Sequence, residues 1–134
     1  MSTFGFIGFG SMAKMLIYGL IKYANVSPHN IYVTRKNKDR LNEIENAFKD
    51  VVTVSACQDI VKNAQLVFLC VKPAEIKNVL LEIAPFVNDD THIISLAGTV
   101  SMSSLQSVIH GKITKYMPTE IGACGHRGRF FLAF

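Results

Sequence analysis

Residues Phe4 to Tyr23 read FGFIGFGSMAKMLIYGLIKY, and three small residues in them, Gly8, Gly10 and Ala13, stand at the spacing GxGxxA. The spacing alone is weak, because glycine is common. Its surroundings give it weight. The apolar run Phe4 to Ile7 leads directly into the turn, and Ala13, Leu16, Ile17, Leu20 and Ile21 then recur at the i, i+3, i+4, i+7, i+8 positions of an amphipathic helix. Strand, tight turn and helix within a βαβ unit are the context in which this pattern holds a dinucleotide. Gly8 permits the turn out of the strand, Gly10 lets the backbone approach a pyrophosphate, and Ala13 lets the helix pack closely on the sheet. The start of the helix offers unpaired N–H groups and a partial positive charge to the phosphates.

The rest of the chain repeats the alternation. Strands are expected at Asn30–Thr34, Val51–Val54, Leu66–Val71, His92–Ala97 and Lys112–Met117, with a seventh at Arg129–Phe134. Leu66–Val71 is apolar at every position, as suits a central parallel strand buried on both faces. Helices are expected at Asp39–Phe48, with Leu41, Ile44, Ala47 and Phe48 inward, and at Gln58–Asn63. Another begins at Pro73, where a missing N–H costs nothing, and buries Ile76, Val79, Leu80, Ile83 and Val87. Ser101 caps a last helix carrying Leu105, Val108 and Ile109. The expectation is an α/β fold: a doubly wound parallel sheet of the Rossmann NAD(P)-binding type, occupying residues 1–134 as a single domain.

Composition narrows the function classes. At 134 residues, with 49% hydrophobic and 18% charged residues, the chain describes a folded domain rather than a disordered one. No apolar run approaches the ~20 residues of a bilayer-spanning helix, and the first residues do not resemble a secretory leader. Three cysteines without a CxxC pair fit reduced thiols in the cytoplasm, and four scattered histidines point to no metal site. The net charge of +4 is modest for a nucleic-acid binder, and no nucleic acid or membrane partner is expected.

The densest basic cluster, RKNKDR at Arg35–Arg40, follows the second strand. An NAD site usually places Asp or Glu at that strand end, against the ribose hydroxyls. This chain has Thr34, Arg35 and Lys36 instead, with Lys38 and Arg40 beyond. A hydroxyl and a guanidinium suit a 2′-phosphate through charge-assisted hydrogen bonds, so NADP (NADPH) is expected over NAD. Cations at the start of a helix oppose its macrodipole, a cost that an anionic ligand offsets. Asp39 lies too far past the strand for the ribose acid and suits helix capping.

The segments GFIGFGSMAKMLIYGL, the basic turn after IYVT, LVFLCVKP, IISLAGTVS and KYMP occur in the order and spacing of pyrroline-5-carboxylate reductases. The chain resembles that family from Phe4 to about Pro118. The resemblance implies hydride transfer from NAD(P)H to the C=N bond of pyrroline-5-carboxylate, a small imino acid, giving proline in a cytoplasmic biosynthetic step. It implies that Ile7, Gly8, Phe9, Gly10, Ser11 and Met12 hold the pyrophosphate and that Thr34 lies by the adenosine ribose. It further implies that Cys70, Val71, Lys72 and Pro73, with Leu96, Ala97 and Gly98, border the nicotinamide. Lys72 contributes backbone in that family, and no catalytic residue is assigned in this chain.

Three departures accompany the resemblance. Cys57 stands where the family usually has Asn, near the adenosine end. Thr119, Glu120 and Ile121 replace the family's Asn-Thr-Pro after the strand, placing a carboxylate near an anionic substrate. The family also continues into a helical domain that builds a homo-oligomer and completes the substrate pocket. The chain is therefore expected to be the cofactor part of a longer two-domain reductase, inactive by itself. A non-catalytic competence-type relative that keeps nucleotide binding, or an F420-dependent NADP oxidoreductase-like enzyme, are the other readings. The terminal RFFLAF adds an expected tendency to self-associate.

Overall fold

The computed structural model describes residues 3–35, 42–96, 99–109 and 111–115. Strand β1 (Phe4–Ile7) leads into α1 (Ser11–Lys22), and a short 3₁₀ turn at Pro28–Asn30 precedes β2 (Ile31–Thr34). Then follow α2 (Asn42–Ala47), β3 (Val52–Thr53), α3 (Cys57–Asn63), β4 (Leu66–Leu69) and α4 (Pro73–Ile83). A 3₁₀ turn at Ala84–Phe86, β5 (His92–Ser95), α5 (Met102–Gln106) and β6 (Lys112–Lys115) complete the described chain.

All six strands pair in parallel, in the order β3-β2-β1-β4-β5-β6. That order reverses direction at β1, so β1 and its neighbours mark the switch point where open α/β sheets bind ligands beyond the strands' carboxyl ends. Alternation within each strand divides the core in two. Phe6, Val33, Phe68 and Ile94 point to one face with Leu16, Ile17 and Leu20 of α1 and Ile44 of α2. Ile7, Val67, Leu69 and Ile93 point to the other, against Ile60 of α3, Ile76 and Leu80 of α4 and Leu105 of α5. Phe6 and Phe68, neighbours in register, stack with ring centroids 4.8 Å apart. Each large side chain so buried contributes about 1.5–3 kcal/mol.

The doubly wound sheet expected from periodicity is the fold observed, and Pro73 opens α4 while Ser101 Oγ caps α5 by accepting from Ser104 N–H at 3.2 Å. Boundaries shift by a few residues. β3 is only Val52–Thr53, and β4 ends at Leu69, although Cys70 N–H still donates to the Ile7 carbonyl of β1. Ala47, expected inward, is exposed at the end of α2; Ile44 and Phe48 alone of the described residues there seal that face. The expected helix start at Asp39–Leu41, the end of the sixth strand and the seventh strand lie outside the described residues. Past the end of α1, Asn25 at φ 55° lets Val26 N–H reach back to the Leu20 carbonyl at 3.0 Å.

Candidate functional site

The glycine turn gathers the carboxyl ends of three strands. Gly8 N–H donates to the Thr34 carbonyl at 2.8 Å, tying β1 to β2, and Cys70 N–H donates to the Ile7 carbonyl at 2.8 Å, tying β4 to β1. Gly8 adopts φ 103°, and a Cβ there would sit 2.7 Å from the Cys70 carbonyl oxygen, so the fold itself demands glycine. Gly10 is different. Its backbone is extended, and a Cβ would meet nothing within 4 Å among the described residues. The fold has no use for glycine at that position; the open space above it is room for a group approaching the backbone. Behind it, α1 has no side-chain cap and no acid in its first turn, which leaves the leading N–H groups of Ser11 and Met12 available to an anion. These residues fit the dinucleotide pyrophosphate.

Phe9 does not face that space. Its buried ring packs edge-on against Phe48 at 6.2 Å and receives the Lys14 ammonium at 5.3 Å, so it anchors the glycine turn to the core. Thr34 is buried at the end of β2, and Arg35 follows it out of the sheet. Arg35 Nη1 donates to Glu43 Oε2 of α2 at 2.8 Å, an ion pair absent from the sequence reading. Arg35 precedes α2, whose described first turn carries Glu43 and Glu45, the signs its dipole favours, while the rest of the basic run lies outside the described residues. Lys36 lies outside the described residues, as do Ala97 and Gly98.

A cavity of about 290 Å³ brings together Ile7, Gly8, Thr34, Arg35 and Val71. Its remaining walls come from Ser55, Ala56 and Cys57 before and at the start of α3, and from Glu75, Asn78, Val79 and Glu82 on α4. The α4 residues were not foreseen as site residues. Their signal was the spacing i, i+3, i+4, i+7, one strip away from the core stripe Ile76, Leu80 and Ile83. Val79 belongs to this wall as well as to the edge of the core. Lys72 is exposed as the N-cap of α4 and donates no side-chain cap, while Pro73 borders a separate cavity of about 430 Å³ between α4 and α5. Leu96 packs against the aromatic half of the core. The Cys70 thiol is pushed up to about 12 by burial, which leaves it protonated and unreactive.

The family described as "NADP oxidoreductase coenzyme F420-dependent" matches residues 3–98. The chain belongs to that family. Among its relatives, the pyrroline-5-carboxylate reductase of Escherichia coli is 31% identical over 116 residues, covering 85% of this chain and 43% of that protein. The ComE operon protein 4 of Bacillus subtilis is 25% identical over 115 residues, covering 86% and 42%. The crystallised pyrroline-5-carboxylate reductase of Coxiella burnetii superposes with a TM-score of 0.80 at 30% identity, over 92% of this chain and 46% of that one. The resemblance read from GFIGFG, VKP and SLAGTVS thus extends to this family of NAD(P)-dependent oxidoreductases, and the chain spans less than half the length of these relatives. Among the described residues, no helix is long and apolar enough to cross a membrane.

Proposed function

We propose that this chain is the cofactor-binding part of an NADPH-dependent reductase that acts on a small cyclic imino acid of the pyrroline-5-carboxylate kind. The carrying observation is the contrast within the glycine turn. Gly8 is required by the fold, whereas Gly10 faces open space at the uncapped start of α1. A nicotinamide held there would supply a hydride to the C=N carbon, and with a proton added to the nitrogen the product would be proline. The chain's own residues bind and orient. Ile7 to Met12 cradle the pyrophosphate, with the N–H groups of Ser11 and Met12 as donors. Thr34 and Arg35 take the adenosine ribose and its 2′-phosphate, aided by Lys36. Cys70 to Pro73 and Leu96 to Gly98 border the nicotinamide, mainly through backbone. The proton donor and the substrate walls belong to the remaining length that the relatives have, so the isolated chain binds cofactor and leaves substrate unreduced.

The second reading is a competence-type relative that keeps the nucleotide and lacks the reduction; ComE operon protein 4 of Bacillus subtilis is 25% identical to this chain. Titration of NADPH and NADH into the chain by calorimetry or cofactor fluorescence, with Gly10→Val and Arg35→Ala alongside, tests the first part. NADPH is expected to bind more tightly than NADH, Arg35→Ala to remove about tenfold of that preference, and Gly10→Val to abolish binding of both. No binding of either cofactor would reduce the glycine turn to a connection. Reduction of pyrroline-5-carboxylate by the longer protein separates the two readings.

A further inference from the structure

Arg35 is the one residue of the described cavity wall that carries a positive charge, and it does not stand alone. Its Nη1 donates to Glu43 Oε2 at 2.8 Å, with the arginine side chain 18% exposed and the glutamate 42%. The same cavity is lined by two further carboxylates, Glu75 and Glu82 of α4. A ligand phosphate arriving at Arg35 therefore meets a guanidinium already matched by one acid, inside a wall that adds two more. Glu43 lies eight residues beyond Arg35, on α2, and is not itself part of the cavity wall.

Resting on the reading that this cavity receives the adenosine half of the cofactor, we infer that Glu43 sets the preference between NADPH and NADH. It does so by discounting the charge of Arg35. Such a carboxylate can act as a tether or as a charge. The Arg35 side chain is only 18% exposed, so neighbours besides Glu43 confine it, and the charge of Glu43 is the property at issue. The contact uses Nη1, while a guanidinium has five donors in a planar fork. A 2′-phosphate can therefore share Arg35 with Glu43 rather than evict it. In the shared arrangement the phosphate and the carboxylate lie across one guanidinium and repel each other. A dinucleotide without the 2′-phosphate escapes that repulsion. Glu43 thus narrows the margin that Thr34 and Arg35 create.

Glu43→Gln separates charge from position, because the amide oxygen still accepts from Nη1. The test is equilibrium titration of NADPH and of NADH into the wild-type chain, Glu43→Gln, Arg35→Ala and the double variant, at low and high salt. Thermal melts confirm that each variant is folded. Glu43→Gln is expected to tighten NADPH about five- to tenfold while NADH changes less than twofold, with the gain shrinking at high salt. In the Arg35→Ala background the same substitution is expected to gain less, since the phosphate is no longer held across one guanidinium from Glu43. Wild-type binding of both cofactors with NADPH unchanged or weakened in Glu43→Gln would overturn this inference alone. Wild-type binding of neither would overturn it together with the reading of the cavity.

Discussion

At the scale of single residues, three glycines in six positions do three different jobs. Gly5 was not singled out in the sequence, yet a Cβ there would collide with Ile60 of α3 and lie 2.9 Å from Ala64 Cβ just past the end of that helix. It lets that helix close on β1. Gly8 combines a left-handed backbone with a carbonyl oxygen where a Cβ would go, and Gly10 faces nothing. Gly8→Ala should therefore lose about 3 kcal/mol of stability, summing left-handed strain and overpacking, while Gly10→Ala stays within about 1 kcal/mol of wild type. Urea denaturation of the two variants checks the contrast; equal losses would mean that Gly10 also serves the fold. The difference bears on how far the site could be read in advance. Gly8, Thr34, Arg35 and Val71 were legible because motif and strand ends point to them. Glu43, Asn78 and Glu82 were not, because each sits on a helix face whose neighbour is set only when the sheet is assembled.

At the scale of elements, the strands explain themselves from their own residues, and their joins do not. β5 and β6 pair in register, and His92 Nε2 lies 2.6 Å from Thr114 Oγ1 across that pair. Burial, and then the Lys112 ammonium paired opposite, push the histidine below its ordinary 6.5. The unfolded chain thus holds more protons at this site than the folded one in the window below 6.5. The contribution of the neutral imidazole is complete above 6.5 and is lost as pH falls through the depressed folded value. Thermal melts across that window should show the wild type losing stability on acidification more steeply than His92→Gln. Since much of the ring meets solvent, the difference is small, and parallel curves would remove His92 from the account. Nothing in HIISLA announces this contact, although the strand itself was plain. Periodicity located six strands and the described α-helices, because burial on one or two faces dictates it, but it carried α4 on to Val87 and α5 on to Ile109, past their ends at Ile83 and Gln106. It misplaced Ala47, since a short helix over a sheet edge needs fewer inward residues than its stripe supplies.

At the scale of the whole molecule, the cavity is made by segments far apart in the chain: the end of β1, the end of β2, the start of α3 and one face of α4. No unfolded or partly folded chain holds these together. A dinucleotide that spans them therefore binds the native state alone and shifts the folding equilibrium by mass action. At one hundred times its dissociation constant such a ligand adds about 2.7 kcal/mol. For a domain of this size each kcal/mol moves the midpoint of thermal unfolding by roughly 4 °C, so NADPH at that excess should raise it by about 10 °C. Gly10→Val should unfold near the wild-type temperature without cofactor, because its extended backbone accepts a side chain, and should show no rise with NADPH. The pair of melts separates a binding defect from a folding defect in one experiment. A wild-type midpoint that saturating NADPH leaves unmoved would mean that the open space over Gly10 is not where a dinucleotide sits, and that strand, turn and helix are joined there for packing alone.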